Sequence, residues 1–295
     1  MPESTAPEST APETTAPETT APETTAWPAG RRITISDLQA ATDRGERWSM
    51  LTSYHTLTAS VFEQAGVRAL LVGDTSAEVV LGYETTVPVT LDQLIPMVQA
   101  VVRGTRIALV VADLPFGSYQ AGPQAALASA VRQLKEGGAQ AVKLEGGQRV
   151  LPAVRVLTTA GIPVMGHLGL TPQSVHTLGG VQRVQGRGDA GEMLLADARA
   201  LEDAGAFAVV LESVPAGLAR RVTEALRIPT VGIGAGPHCN AQILVWQDMA
   251  GLTTGRLPRF VKQYAGLHDT LLDAAGRYAA DVTAGRYPGP AHSYT

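Results

Sequence analysis

The most constraining feature of this 295-residue chain is a rhythm. Short, nearly continuous aliphatic runs recur at 49–54, 69–74, 107–113, 141–145, 163–168, 208–212 and 230–234, with a weaker eighth at 243–248. Runs such as ALLV, IALVV and FAVVL lack the polar alternation of a half-exposed strand, and read as strands covered on both faces. Between them lie helical patterns of about a dozen residues. Gln124–Glu136, stopped by Gly137, and Glu192–Asp203, stopped near Gly205, are two of these. A glycine just past a helix supplies the left-handed turn that ends it. Seven or eight strand–helix units in about 260 residues fit a (β/α)8 TIM barrel. An open doubly wound sheet has the same rhythm, and periodicity alone does not separate the two.

The strands end on charge. LLVGD stops at Asp74, LVVAD at Asp113, VKLE at Glu145, PVMGH at His167 and VVLE at Glu212. In a parallel barrel all carboxyl ends face one mouth, where active sites lie. A single acid at a strand end is as readily a cap for the following helix. Four acids and one histidine at successive ends are expected to ring one cavity. Carboxylates without cysteine partners suit Mg²⁺, which takes oxygen ligands and keeps waters, better than Zn²⁺. Side chains alternate along a strand, so Lys143 shares a face with Glu145. An interior ammonium is costly unless paired, so Lys143 faces either these acids or an anionic ligand.

Other features are weaker. Thr75-Ser76 follow Asp74 and offer donors to an oxyanion, or form a common hydroxyl turn. VGIGAG (231–236) is either a ligand-approaching loop or a tight turn. His176, His238, His268 and His292 have no ligand spacing and are expected on the surface, whereas Met165 and Trp246 read as core.

Composition excludes some partners. Residues 1–25 are five pentads, MPEST, APEST and three APETT, and residues 1–27 carry five glutamates and no Lys or Arg. Proline at every fifth position and no large apolar group predict an extended, disordered tail over 1–27, ahead of a single domain over 28–295. The net charge is −4, but without those glutamates 22 acids face 23 Lys and Arg. That balance gives no electrostatic basis for nucleic acid or an anionic membrane. No apolar run approaches the roughly 18–20 residues that span a bilayer. Cys239 is the only cysteine, so no internal disulfide forms. A cytoplasmic protein acting on small molecules is the expectation.

Nine strings then match one family in order: LLVGDT (70–75), TTVPVTLDQL (85–94), VVADLPFGSY (110–119), AVKLEGG (141–147), GHLGLTPQSV (166–175), VQGRGDAGE (184–192), VLESVP (210–215), IPTVGIGAGP (228–237) and YPGPAHS (287–293). Across residues 31–295 the chain resembles the ketopantoate hydroxymethyltransferases (3-methyl-2-oxobutanoate hydroxymethyltransferases). The resemblance implies a TIM barrel of the phosphoenolpyruvate mutase/isocitrate lyase superfamily, assembled as a homo-oligomer, usually a decamer. It implies hydroxymethyl transfer from 5,10-methylenetetrahydrofolate to 3-methyl-2-oxobutanoate through a Mg²⁺-stabilised enolate, giving ketopantoate for coenzyme A synthesis. Carried onto this sequence, the metal acids are Asp74, Asp113 and Glu145. Substrate contacts fall on Asp74, Thr75, Asp113 and Lys143, with His167 a further candidate, and the proton acceptor on Glu212.

The chain departs from that pattern in places. Thr75 stands where serine is usual, TSYH (52–55) replaces TAYD, HCNAQ (238–242) replaces a loop with an Asp-Gly pair, and the pentads have no counterpart. Two other readings are another Mg²⁺-enolate C–C lyase of the superfamily and a non-catalytic scaffold. The first would carry a reactive cysteine in a KKCGH-type loop, unlike Cys239 in GPHCNAQ; the intact acid set argues against the second.

Overall fold

The computed structural model describes residues 27–178 and 184–294. The pentads therefore lie outside the described residues. Eight parallel strands, β1 (Trp48–Thr52), β2 (Ala69–Val72), β3 (Leu109–Asp113), β4 (Ala141–Glu145), β5 (Val164–Gly169), β6 (Ala208–Glu212), β7 (Thr230–Ile233) and β8 (Ala241–Leu244), pair in sequence order. β8 pairs back onto β1, with Met50 opposite Ile243. The sheet is thus a closed barrel, which excludes the open doubly wound alternative.

Eleven α-helices are described: α1 (Ile35–Asp43), α2 (Thr56–Gln64), α3 (Ser76–Val79), α4 (Leu91–Gly104), α5 (Pro123–Arg132), α6 (Leu151–Thr159), α7 (Val175–Leu178), α8 (Asp189–Asp203), α9 (Ala216–Ala225), α10 (Trp246–Met249) and α11 (Leu267–Thr283). α4 shows why such segments become helices. Thr90 and Gln93 form a reciprocal capping box, and Leu94, Ile95, Val98 and Val101 make one buried stripe. That pairing satisfies two end N–H groups and seats the apolar face on the sheet.

Several expected boundaries move, three of them near the site. The helix foreseen over Gln124–Glu136 is α-helical only from Pro123 to Arg132; residues Gln133–Gly137 form a wider π turn. Its stop is Gly138, left-handed at φ 80°, and not Gly137. The wider turn points buried Gln133 at the sheet, where its Nε2 donates to Asp113 O at 2.8 Å. The eighth strand is Ala241–Leu244, earlier than 243–248, and Trp246–Met249 turns into α10. Trp246 N–H donates to Thr52 Oγ1 at 3.0 Å, a bond that ties this turn to β1. β2 ends at Val72, so Asp74 stands beyond the strand.

Alternation sorts every strand into two cores. The inward residues Met50, Leu71, Leu109, Val111, Ala141, Met165, Ala208, Val210, Val231 and Ile243 fill the lumen. α1 closes the strand-start end, with Ile33, Leu38 and Ala41 joining that cluster and half-buried Trp27 packed against it. The outward residues Val142, Leu144, Val164, Leu168, Val209 and Leu211 pack beneath α5, α6, α8 and α9. Leu70, Val72, Val110 and Ala112 do the same on the side of α2 and α4. Trp246 belongs to this outer layer and Met165 to the lumen, both core as expected.

Candidate active site

Two residues past the apolar lumen positions, the same inward face turns polar. Leu109 and Val111 lead to Asp113, Ala141 leads to Lys143 and Glu145, Met165 leads to His167, and Ala208 and Val210 lead to Glu212. Register makes them neighbours: Asp113 lies opposite Lys143, and Glu145 opposite His167. All seven residues singled out from the sequence, Asp74, Thr75, Asp113, Lys143, Glu145, His167 and Glu212, line one cavity. Apolar Leu71, Val210, Ile233 and Ile243 form its floor and sides.

Asp74 arrives by a different route. Residues 69 and 71 are the inward set of β2, and the next position of that parity, 73, just past the strand, is glycine. A side chain there would press on Asp113, whose Oδ2 lies 3.2 Å from where a Cβ would stand. The chain instead turns after Gly73. Asp74 N–H donates to Asp113 Oδ2 at 2.9 Å, and its own carboxylate enters the cavity. Thr75 begins the short helix α3 without capping it, and is half-buried at the cavity wall.

The charges are tightly packed. Lys143 Nζ is 2.8 Å from Asp113 Oδ1, and both side chains are almost fully buried. His167 bridges two acids, with Nδ1 3.3 Å from Glu145 Oε1 and Nε2 3.1 Å from Glu212 Oε2. Its Nδ1 is also 3.4 Å from Lys143 Nζ, so this nitrogen can donate to Glu145 or accept from Lys143, but not both. Burial and the Lys143 ammonium press the ring toward neutrality; the two carboxylates outweigh them and raise its pKa to about 9. The imidazolium donating to Glu145 is therefore the favoured form. Glu212 keeps 17% of its side chain exposed at the rim.

The balance of charge is negative. Four carboxylates face one ammonium and one imidazolium. Burial, then Asp113 and Glu145, push Asp74 well above the usual carboxylate range, and burial also raises Asp113 against the pull of Lys143. Burial tends to neutralise Lys143, yet Asp113, Glu145 and Asp74 together hold its pKa up. Surplus buried carboxylate of this kind is relieved by a hard cation. Among the described residues, no three His, Cys, Asp or Glu side chains are arranged to hold a metal ion by themselves. The donor set fits Mg²⁺, which takes one or two carboxylates and completes its shell with water and substrate oxygen.

Two residues of this network escape a strand-end reading. Gln173, in the one-turn segment Pro172–Ser174 after β5, donates Nε2 to Asp74 Oδ2 at 2.8 Å and its backbone N–H to Glu145 Oε2 at 3.1 Å. Tyr119 donates its hydroxyl to Gln173 Oε1 at 2.6 Å. Both sit in loops and inside matched strings, GHLGLTPQSV and VVADLPFGSY. The sequence signal was membership of those strings, without any indication of role.

The VGIGAG loop, Cys239 and the remaining histidines contribute no polar group to the cavity, although Ile233 of VGIGAG lends it an apolar wall. In VGIGAG, Gly234 and Gly236 are left-handed, and a side chain at either would strike Phe260 or Ala216. The loop is thus a tight packed turn. His55 caps α2, its Nδ1 accepting from Thr58 N–H at 3.4 Å, a role an aspartate also performs. Cys239 is buried in the outer core, outside the charged cavity. His176, His238, His268 and His292 are exposed.

Comparison with known proteins bears on the family and the fold. The family model described as ketopantoate hydroxymethyltransferase matches residues 32–290. A protein of Frankia casuarinae named 3-methyl-2-oxobutanoate hydroxymethyltransferase is 67% identical over 267 residues, covering 90% of each chain. Its namesake in Thermobifida fusca is 61% identical, covering 90% of this chain and 95% of that protein. Among solved structures, phosphonopyruvate hydrolase in complex with oxalate and Mg²⁺ superposes with a TM-score of 0.58 at 14% identity, covering 89% of this chain and 92% of that one. A 2,3-dimethylmalate lyase of the PEP mutase/isocitrate lyase superfamily gives 0.52 at 19% identity, covering 87% and 88%. These two likenesses speak for the fold alone. With its closed barrel, its ring of strand-end charges and a match over nearly all of its described residues, the chain belongs to the ketopantoate hydroxymethyltransferase family.

Proposed function

We propose that the protein transfers a hydroxymethyl group from 5,10-methylenetetrahydrofolate to 3-methyl-2-oxobutanoate, forming ketopantoate, at the mouth of its barrel. The observation that carries this reading is the cavity where Asp74, Asp113, Lys143, Glu145, His167 and Glu212 meet, in a member of this family. Asp74, Asp113 and Glu145 are the acids that would hold Mg²⁺ together with water and substrate oxygens, not by themselves. When bound, the ion supplies Lewis-acid polarisation of the substrate's keto group.

The chain's own groups account for the rest. The 2-oxo acid enters a cavity with an apolar side, Leu71, Val210, Ile233 and Ile243, suited to a branched alkyl group. Lys143 provides fixed positive charge for the substrate's oxygens, and Thr75 a hydroxyl at the wall. Glu212 takes the C3 proton; it is the most accessible of the four acids and has its Oε2 3.1 Å from His167 Nε2. His167 steadies Glu212 and spreads the charge that changes when the proton moves. The nucleophilic C3 then forms a C–C bond to the one-carbon unit as both C–N bonds from that carbon to folate break. One water supplies the hydroxyl oxygen; the C3 proton and the water protons end on the new hydroxyl and the two folate nitrogens, and ketopantoate and tetrahydrofolate leave.

The reading extends to assembly and location. α11 buries no residue and leaves Leu271, Leu272, Tyr278 and Val282 exposed, an apolar surface of the kind that supports self-association. No described helix is long and apolar enough to cross a membrane, and a cytoplasmic homo-oligomer is part of the proposal.

Glu212→Gln tests the chemistry. The variant should still bind 3-methyl-2-oxobutanoate while C3 proton exchange with D₂O falls by roughly 10²–10⁴-fold, the usual worth of a positioned acid or base. Exchange at the wild-type rate would remove Glu212 from its role.

A further inference from the structure

We propose that Gln173 is a positioning residue that holds Asp74 in the metal-binding arrangement. The inference rests on the metal reading above. Asp113, Lys143 and Glu145 are placed by the strands that carry them, but Asp74 lies beyond the end of β2, where no strand register constrains it. Its backbone N–H is anchored on Asp113 Oδ2, and Gln173 Nε2 donates to its carboxylate at 2.8 Å.

The orientation of the Gln173 amide is determined by its partners. Nε2 donates to two acceptors, Asp74 Oδ2 and Leu114 O at 3.0 Å, and Oε1 accepts the Tyr119 hydroxyl at 2.6 Å. A reversed amide would set its oxygen against a carboxylate and a carbonyl. Tyr119 OH in turn accepts from Glu145 N–H at 3.2 Å, and Gln173 N–H donates to Glu145 Oε2. A continuous path of hydrogen bonds therefore runs from the acid of β4 through Tyr119 and Gln173 to Asp74. Gln173 is 4% exposed, so water does not replace a lost bond there.

The test is Mg²⁺ affinity of the purified full chain, measured by titration calorimetry without substrate. Gln173→Met keeps nearly the same volume and the backbone N–H to Glu145, and removes only the amide. It should fold, shown by an unchanged circular dichroism spectrum, and bind Mg²⁺ roughly 10–100-fold more weakly, as when a residue orienting a metal ligand is lost. Tyr119→Phe should weaken binding less, in the same direction. In an Asp74→Asn background, Gln173→Met should change affinity by less than about twofold, because the amide acts through that carboxylate. A folded Gln173→Met protein with wild-type Mg²⁺ affinity, or an undiminished effect in the Asp74→Asn background, overturns the proposal. Should Gln173→Met not fold, wild-type affinity in Tyr119→Phe overturns it. Wild-type protein that takes up no Mg²⁺ overturns the metal reading and this inference together; binding by the wild type with no change in the variants overturns this inference alone.

Discussion

The two halves of the barrel lumen are built on the same strands and the same inward parity, yet they differ in almost every physical respect. The strand-start half is packed with Met50, Leu109, Val111, Met165 and Val231, and α1 seals it. The strand-end half holds Asp113, Lys143, Glu145, His167 and Glu212, with only one pleat repeat, about 7 Å, between the two layers. The lower layer gains stability from apolar burial and close packing. The upper layer buries charges whose desolvation its mutual ion pairs only partly offset. A closed lumen tolerates that arrangement at its open end, where a cation and a substrate can complete it, and not at the sealed end. The difference teaches that the mouth is organised for a ligand and the floor for the fold.

The sharpest way to break this comparison is to remove the ammonium. Lys143→Met leaves Asp113 buried beside Asp74 and Glu145 without its 2.8 Å partner. Loss of one member of such a pair costs about 3–5 kcal/mol, readable as a lowered urea midpoint in the metal-free protein. An unchanged midpoint would mean that the upper layer is already neutral.

Next in size is the floor. Leu109→Ala empties a fully buried lumen position and should cost about 2–5 kcal/mol. Mg²⁺ affinity should stay close to wild type, because Asp113 and Lys143 keep their own strands. Equal losses of stability and of Mg²⁺ binding would show that the two layers are one cooperative unit.

The smallest effect concerns a carboxylate outside the lumen. Glu63, on α2, accepts the backbone N–H groups of Arg106, Ile107 and Ala108, the segment that leads into β3. Burial alone would raise its pKa, but these three donors win and lower it. A lowered folded pKa means that Glu63 contributes stability above its unfolded pKa of about 4.3 and loses it as the pH falls further. Wild type should exceed Glu63→Gln by about 1–2 kcal/mol at pH 7. That gap should close below about pH 4. A gap that persists at pH 3 would show that the donors do not depend on the charge. This site, unlike the mouth, is an acid serving structure only.

Much of the active-site chemistry was legible because strand alternation is a strict rule. Once β3 to β6 are located, period 2 places Asp113, Lys143, Glu145, His167 and Glu212 on the inward face, and parallel direction brings them to one mouth. Boundaries were less legible where one residue type serves several conformations. Gly137 reads as the helix stop, but the left-handed turn falls on Gly138, while Gly137 lies buried against Val98 of α4. The eighth strand moved because the aliphatic text of 243–248 suits strand and helix alike, and the bond from Trp246 N–H to Thr52 decides where the chain turns.

The sequence by itself determined the repeating strand–helix order, the inward parity, the charges at the strand ends and, through nine strings, the family. Those properties are local, or follow from a fixed period. Closure of the barrel, the entry of Asp74 past Gly73, the His167 bridge between Glu145 and Glu212, and the hold of Gln173 and Tyr119 on the acids were decided only by tertiary structure. Each joins residues far apart in the chain through groups with many possible partners. A glutamine amide or a tyrosine hydroxyl acquires its role only when burial removes water and leaves it a single set of donors and acceptors to satisfy.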